Sequence, residues 1–422
     1  MKNNELTNSR FGKWGWSMII YTMLLYYFMA AIAADAMNLY PTFFSMQIGC
    51  DPNLLLGFAT PAGLISVLGG IVFGRVVLKT GVRKMAGWSL IVTGVVYAIF
   101  GFVKTPVMYL IVLTVFSFLA NAFGLIATAT LMGNWFPRKK GIALGWATMG
   151  APLCTATFVA ILSKMYVGLG VGKSSVIVGV VILVLGIVTF FWVKDYPADV
   201  GAYPDNISTG CEDLAAQQAA MRAYKSPFTV GRLLKDKDMW CIGLGFGMLW
   251  MVTVGIVSQF VPRMISVGFD NGEALLMLTI ASVIGLVGSY FWGWLDQKVG
   301  TKLASCVYAF SYILALLLMI FAQVRVFNYI ALVFVGFGIG GLLNLMPSMV
   351  IAVYGPYDFP AANGLVSPIA AVLQKGAFVI MAVALEASHG SYNLPYAIFI
   401  GIDVVGLILL LCVTGKCKGK VD

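Results

Sequence analysis

The 422-residue chain is 60% hydrophobic and only 10% charged, with a mean hydropathy of +0.92. A soluble domain carries about 25% charged residues, and the apolar residues here come in blocks long enough to cross ~30 Å of hydrocarbon; a soluble fold is excluded and an all-α integral membrane protein is expected. The net charge of +10 does not point to nucleic acid, because the basic residues lie between apolar blocks and not along one face.

Twelve spans are expected, at about 15–44, 54–78, 84–103, 106–134, 141–168, 174–194, 239–265, 274–297, 302–323, 327–354, 359–387 and 393–414. Lys2, Arg10 and Lys13 precede the first, and Ala31-Ile32-Ala33 within it resembles a signal cleavage site. The apolar run continues to about Phe44, so an uncleaved span is the reading. Alternate connections differ in charge. One side carries 21 of the 27 basic residues; the other carries Lys104, Lys164, Lys173, Arg263 and Arg325. Both termini are therefore expected on the cytoplasmic side of an inner or plasma membrane.

The one long polar segment, Lys194 to Asp238, contains three prolines and a short amphipathic piece at 213–224. It divides the spans six and six. The expected organisation is a six-helix bundle over 1–194, a cytoplasmic linker over 195–238 and a second six-helix bundle over 239–422. Of seven cysteines only Cys50 falls near an outer loop, and none has zinc-type spacing. Lipidation at Cys412 or Cys417 is not favoured. No H-E-x-x-H, Ser–His pair, Cys–His cluster or phosphate loop is present, and His389 is the sole histidine. No enzyme activity, metal or cofactor is expected.

Two motifs recur at nearly one offset. Gly74 with Lys79-Thr80-Gly81 matches Gly293 with Lys298-Val299-Gly300, and Phe136-Pro137 with Gly141 matches Phe359-Pro360 with Gly364. These junctions resemble the major facilitator superfamily of secondary transporters, whose fold joins two pseudo-symmetric six-helix bundles. That family's loop between helices 2 and 3 reads roughly G-x-x-x-D-[RK]-x-G-[RK]-[RK]. The resemblance implies gating contacts at Gly74, Gly81, Asp296 and Gly300. Leu78 stands where the family has Asp, and Asp296 of the second copy comes one position early.

A finer resemblance is to the monocarboxylate transporter and oxalate/formate antiporter branch. It rests on Asn134-Trp135-Phe136-Pro137-Arg138-Lys139-Lys140-Gly141, on Asp195-Tyr196-Pro197 with Tyr203-Pro204-Asp205, and on Val261-Pro262 with Gly268-Phe269. The antiporters place an Arg where this chain has Ser289, and a helix 11 Lys near the position of Ala371. Lys375 lies one turn further on. One cation in place of two implies a monoanion and not a dianion.

Lys375, with Gln374, is near the middle of an apolar stretch, where an ammonium costs at least ~2.5–3.5 kcal/mol. It is either a carboxylate-binding charge or one half of an ion pair with Asp35. Asp35 is either a proton-coupling carboxyl or an interfacial cap. Arg263 and Gln259, four residues apart, share a helix face as an anion-admitting site or as an anchor. Asn121 and Asn344 bind substrate or bridge helices. Tyr40, with Tyr26, Tyr27, Phe28, Trp146 and Trp250, shapes a pocket or simply packs. Gly145, Gly150 and Pro152 either bend or thin the fifth span beside the pathway or simply pack. Asp403 has no assigned role, and Glu386 and His389 are expected in solvent.

The expected function is secondary transport of a small organic anion, a monocarboxylate, by a monomer using alternating access with a proton or a counter-anion. A larger amphipathic aromatic or steroid acid is the neighbouring reading. A non-transporting membrane sensor is the alternative from another class, disfavoured because no soluble output domain is present.

Overall fold

The computed structural model describes residues 9–207, 224, 226–321 and 325–419, and the described residues form helices and no strand. Most of the amphipathic piece expected at 213–224, together with Cys211, lies outside them. Among the described residues, eleven helices are long and apolar enough to cross a bilayer. They include α1 (Gly12–Ala33), α2 (Ala59–Thr80), α3 (Val82–Phe100), α4 (Pro106–Trp135), α5 (Lys140–Leu169) and α6 (Val171–Trp192). After the linker come α7 (Lys237–Ser258), α8 (Asn271–Val299) and α9 (Thr301–Ile320).

The next helix runs unbroken by hydrogen-bond pattern over Leu342–Ala387, 46 residues. A straight rod of that length would rise about 69 Å, more than twice the hydrocarbon thickness. Gly355 resolves this. Its φ of 77° and ψ of 165° interrupt the helix, and Pro356 follows. Residues 342–354 continue α10 (Arg325–Ile339) past a turn at Gly340-Gly341, and residues 356–387 form α11. With α12 (Asn393–Leu411) the chain has twelve spans.

Two boundaries differ from expectation. The tenth span is a broken helix, and the eleventh starts at Pro356 and not at 359, because proline suits a first helical turn. The first span also breaks. Ala34 leaves helical geometry, Asp35–Asn38 forms one 3₁₀ turn, and a new helix, Tyr40–Ile48, restarts around Pro41. A proline there cannot continue the preceding helix.

One apolar core is built from residues 11–193 and a second from 228–413, with Ala129 joining the latter. Within each, small residues let backbones approach, as membrane helices require. Gly94 and Gly179 bring α3 against α6, while Gly245 and Gly406 bring α7 against α12. The two halves meet along two seams, α2 with α11 and α5 with α8.

Candidate substrate site and gates

Lys375 projects from α11 toward α2. Its Nζ lies 3.8 Å from where a Cβ would stand on Gly63, an ordinary van der Waals distance. The side chain is half-buried, and among the described residues no carboxylate pairs with it. Gln374, beside it in sequence, is half-buried as well. Asp35 is elsewhere, in the 3₁₀ turn after α1. Its Oδ2 accepts a hydrogen bond from Thr155 Oγ1 of α5 at 3.0 Å, and the Cys154 thiol lies beside it. The structure therefore does not bring Lys375 and Asp35 together.

The other expected site residues are drawn into packing. Asn121 opens a π-helical turn in α4, Asn121–Ala127, and its Nδ2 donates to the carbonyls of Ser66 (2.9 Å) and Ser117 (3.1 Å). Tyr40 is fully buried among aromatic rings, with its hydroxyl donating to Tyr97 at 2.9 Å. Arg263 donates to the Met319 carbonyl at 2.6 Å and lies over the rings of Tyr392 and Tyr396. It thus satisfies an orphan carbonyl at the C-terminal end of α9. Gln259 accepts from the Tyr392 hydroxyl at 3.2 Å. Of the expected aromatics, Tyr27 bonds Thr157, and Trp146 reaches across to Tyr290 of the second half, ring centroids 5.0 Å apart.

Asn344 is fully buried, and neither of its side-chain polar atoms has a hydrogen-bond partner. It points at Gly293 of α8. Asp403 is also buried, its Oδ2 unpartnered, next to Tyr308 and Tyr312 of α9. Glu386 and His389 are exposed.

The residues expected at the gates fall into two seams at the basic ends of the helices. In one, a Cβ on Gly74 of α2 would stand 2.9 Å from the Pro360 carbonyl and 3.0 Å from the Gly364 Cα of α11. In the other, Gly141 of α5 packs against Gly293 and Asp296 of α8. Asp296 is buried and accepts a short hydrogen bond from Ser348 Oγ of α10, 2.5 Å. Lys140 donates to the Ser348 carbonyl at 2.8 Å, and Gln297 donates to the Arg138 carbonyl at 2.7 Å. The Lys140 and Gln297 bonds cross between the two halves at the basic side. Gly81 and Gly300 sit at φ of 78° and 87°, closing α2 and α8 and opening the helices that follow. A left-handed turn of that kind is available chiefly to glycine.

Lys140 and Gln297 were assigned no role because their partners are carbonyls, which no residue pattern marks, and Ser348 because its carboxylate partner, Asp296, lies on another helix. Two carboxylates after α6 were also assigned no role, although their segment carried the finer resemblance. Asp195 accepts from the Arg83 amide at 2.7 Å and so caps α3. Asp205 accepts from the amides of Arg138 and Lys139. Burial pushes its carboxyl up to about 6, against the pull of those two amides and the nearby charges.

Comparison with known proteins agrees with this architecture. The chain is 22% identical to the oxalate:formate antiporter of Oxalobacter formigenes over 277 residues, a stretch that spans 65% of this chain and 60% of the antiporter. It is 22% identical to the glucose-6-phosphate exchanger SLC37A2 of Xenopus laevis over 396 residues, 84% of this chain and 79% of the exchanger. The fold superposes on the proton:xylose symporter XylE bound to 6-bromo-6-deoxy-D-glucose with a TM-score of 0.72 at 15% identity, covering 97% of this chain and 98% of that one. The family model described as Major Facilitator Superfamily matches residues 14–374. This multi-pass membrane protein therefore belongs to the Major Facilitator Superfamily of secondary transporters.

Proposed function

We propose that the protein carries a small organic monocarboxylate across an inner or plasma membrane, with both termini in the cytoplasm. A monomer would work by alternating access, the bundles over 1–194 and 239–422 rocking about the linker 195–238. The observation that carries this reading is Lys375, an ammonium at the seam between α2 and α11 with no carboxylate to neutralise it among the described residues. An anionic cargo is the chemistry that would neutralise such a charge within the bilayer. The single cation favours a monoanion. Ser289, where the resembling antiporters carry Arg, is buried and bonds only its own helix, at Gly285.

Asp35, held by Thr155 and not by Lys375, is the residue proposed to carry a coupling proton; counter-anion exchange is the other mode. A second substrate reading, an organic phosphate monoester, is supported by the match to a glucose-6-phosphate exchanger over most of the chain.

Reconstituted protein tests the choice. Formate, acetate, lactate, oxalate and glucose-6-phosphate are compared for thermal stabilisation and for uptake. A monocarboxylate is expected to bind best, and Lys375→Gln is expected to weaken it at least ~10-fold, about 1.4 kcal/mol, and to abolish uptake in protein that still inserts. Unchanged binding in Lys375→Gln removes the ammonium from the site, while preference for glucose-6-phosphate selects the second reading.

A further inference from the structure

A cavity of about 900 Å³ lies at the basic end of the molecule, away from Lys375. Its size is that of a small-molecule site. Four cations line it: Lys79, Arg83, Lys84 and Lys194. Only two carboxylates face them among the described lining residues, Asp195 and Asp199. Asp195 accepts the Arg83 amide, and Asp199 accepts the Tyr196 amide at 3.2 Å. None of the four cations forms an ion pair among the described residues.

The deeper wall holds Thr130 of α4. It is only 6% exposed, and its hydroxyl has no hydrogen-bond partner. A buried hydroxyl left unpaired is costly, and here it stands beside surplus positive charge. The outer wall is apolar. Trp88 is 62% exposed and stacks edge-on against Phe190, with ring centroids 5.6 Å apart, and Leu78 is 49% exposed. In a bilayer that shoulder faces acyl chains. The cavity therefore presents donors and positive charge within, and a greasy lip without. Basic recesses of this composition at a membrane surface match phosphate headgroups.

We propose that this cavity binds a phosphate-bearing anion, supplied as the headgroup of an anionic phospholipid, through Lys79, Arg83, Lys84 and Thr130, with the lipid chain leaving past Trp88. The site is independent of the cargo site and of the assignment of Lys375.

Thermal unfolding of the full chain in neutral-detergent micelles tests this. The probes are dioctanoyl phosphatidylglycerol, dioctanoyl phosphatidylcholine and inorganic phosphate, at matched ionic strength. Phosphatidylglycerol is expected to raise the melting temperature saturably, and phosphatidylcholine is not. The triple variant Lys79→Gln, Arg83→Gln, Lys84→Gln is expected to need at least ~10-fold more lipid, and Trp88→Ala to weaken the response to lipid alone. If the triple variant does not fold, the exposed single change Lys84→Gln is expected to shift the midpoint ~3-fold. An equal response to inorganic phosphate, lost in the same variants, supports the anion site with a soluble source. No saturable response to either anion, or a response untouched by these variants, overturns the proposal. A response that vanishes in Lys375→Gln also overturns it, because the anion then sits at the central ammonium.

Discussion

Lys375 leans on Gly63, while Asp35 accepts a hydrogen bond from Thr155. The positive and negative charges thus belong to different helices and different partners. A carboxyl that accepts from a hydroxyl keeps acceptor capacity when it takes up a proton. In liposomes with an imposed pH gradient, Asp35→Asn is accordingly expected to reduce gradient-driven uptake to the no-gradient level, with solute exchange held within ~2-fold. Gradient-driven uptake that persists would move coupling to another group. Both charges were legible in the sequence, since a charge inside an apolar run stands out. The fates of Arg263, Asn121 and Tyr40 were not. Arg263 and Asn121 answer carbonyls of Met319, Ser66 and Ser117, and Tyr40 answers another buried hydroxyl. Which carbonyls a helix leaves open depends on where it bends or ends.

At the scale of the helices, the repeated glycines explain themselves by contact. Gly74 meets Gly364, and its counterpart Gly293 meets Gly141, the counterpart of Gly364. The two sequence repeats are therefore two faces of the same seam, used twice. Gly74→Val would push a side chain into the Pro360 carbonyl, an overpacking cost of ~1–3 kcal/mol felt only while the basic side is closed. The expected result is ~10-fold faster modification of a cysteine placed at Gly133. An unchanged rate would show that this seam does not govern closure. The bend at Gly355 falls between the expected spans ending at 354 and starting at 359; the exact start at Pro356 was harder to foresee, because Pro347, Pro356, Pro360 and Pro368 all lie in one helical run. Proline is tolerated at a helix start and kinks a helix interior, so residue type alone does not say which of the four marks the turn. The break after Ala33 was hidden by an apolar pattern that continues across it.

Across the whole molecule the two seams are alike in glycine and unlike in charge. The α5–α8 seam carries Asp296, Ser348 and Lys140, with Gln297 bonded to Arg138. At the position equivalent to Asp296, the α2–α11 seam has Val77, buried. Asp296 bonds Ser348 within its own half and attracts the Lys140 ammonium of the other, and such charge-assisted contacts contribute ~1.5–3 kcal/mol, so Asp296→Asn is expected to loosen one seam alone. Spin labels at the basic ends of α5 and α8 should move apart in this variant, while a pair on α2 and α11 keeps its distance. Equal widening at both pairs would refute independent seams.

In the proposed rocking motion, that inequality would set a sequence in time. A joint held by dispersion between glycine backbones yields gradually and tolerates sliding, whereas one held by hydrogen bonds from Lys140 and Gln297 lets go abruptly and needs water to replace them. The α2–α11 side would serve as the pivot and the α5–α8 side as the clasp. Solute would then enter or leave the basic side along the flank of α5 and α8, the first to be wetted.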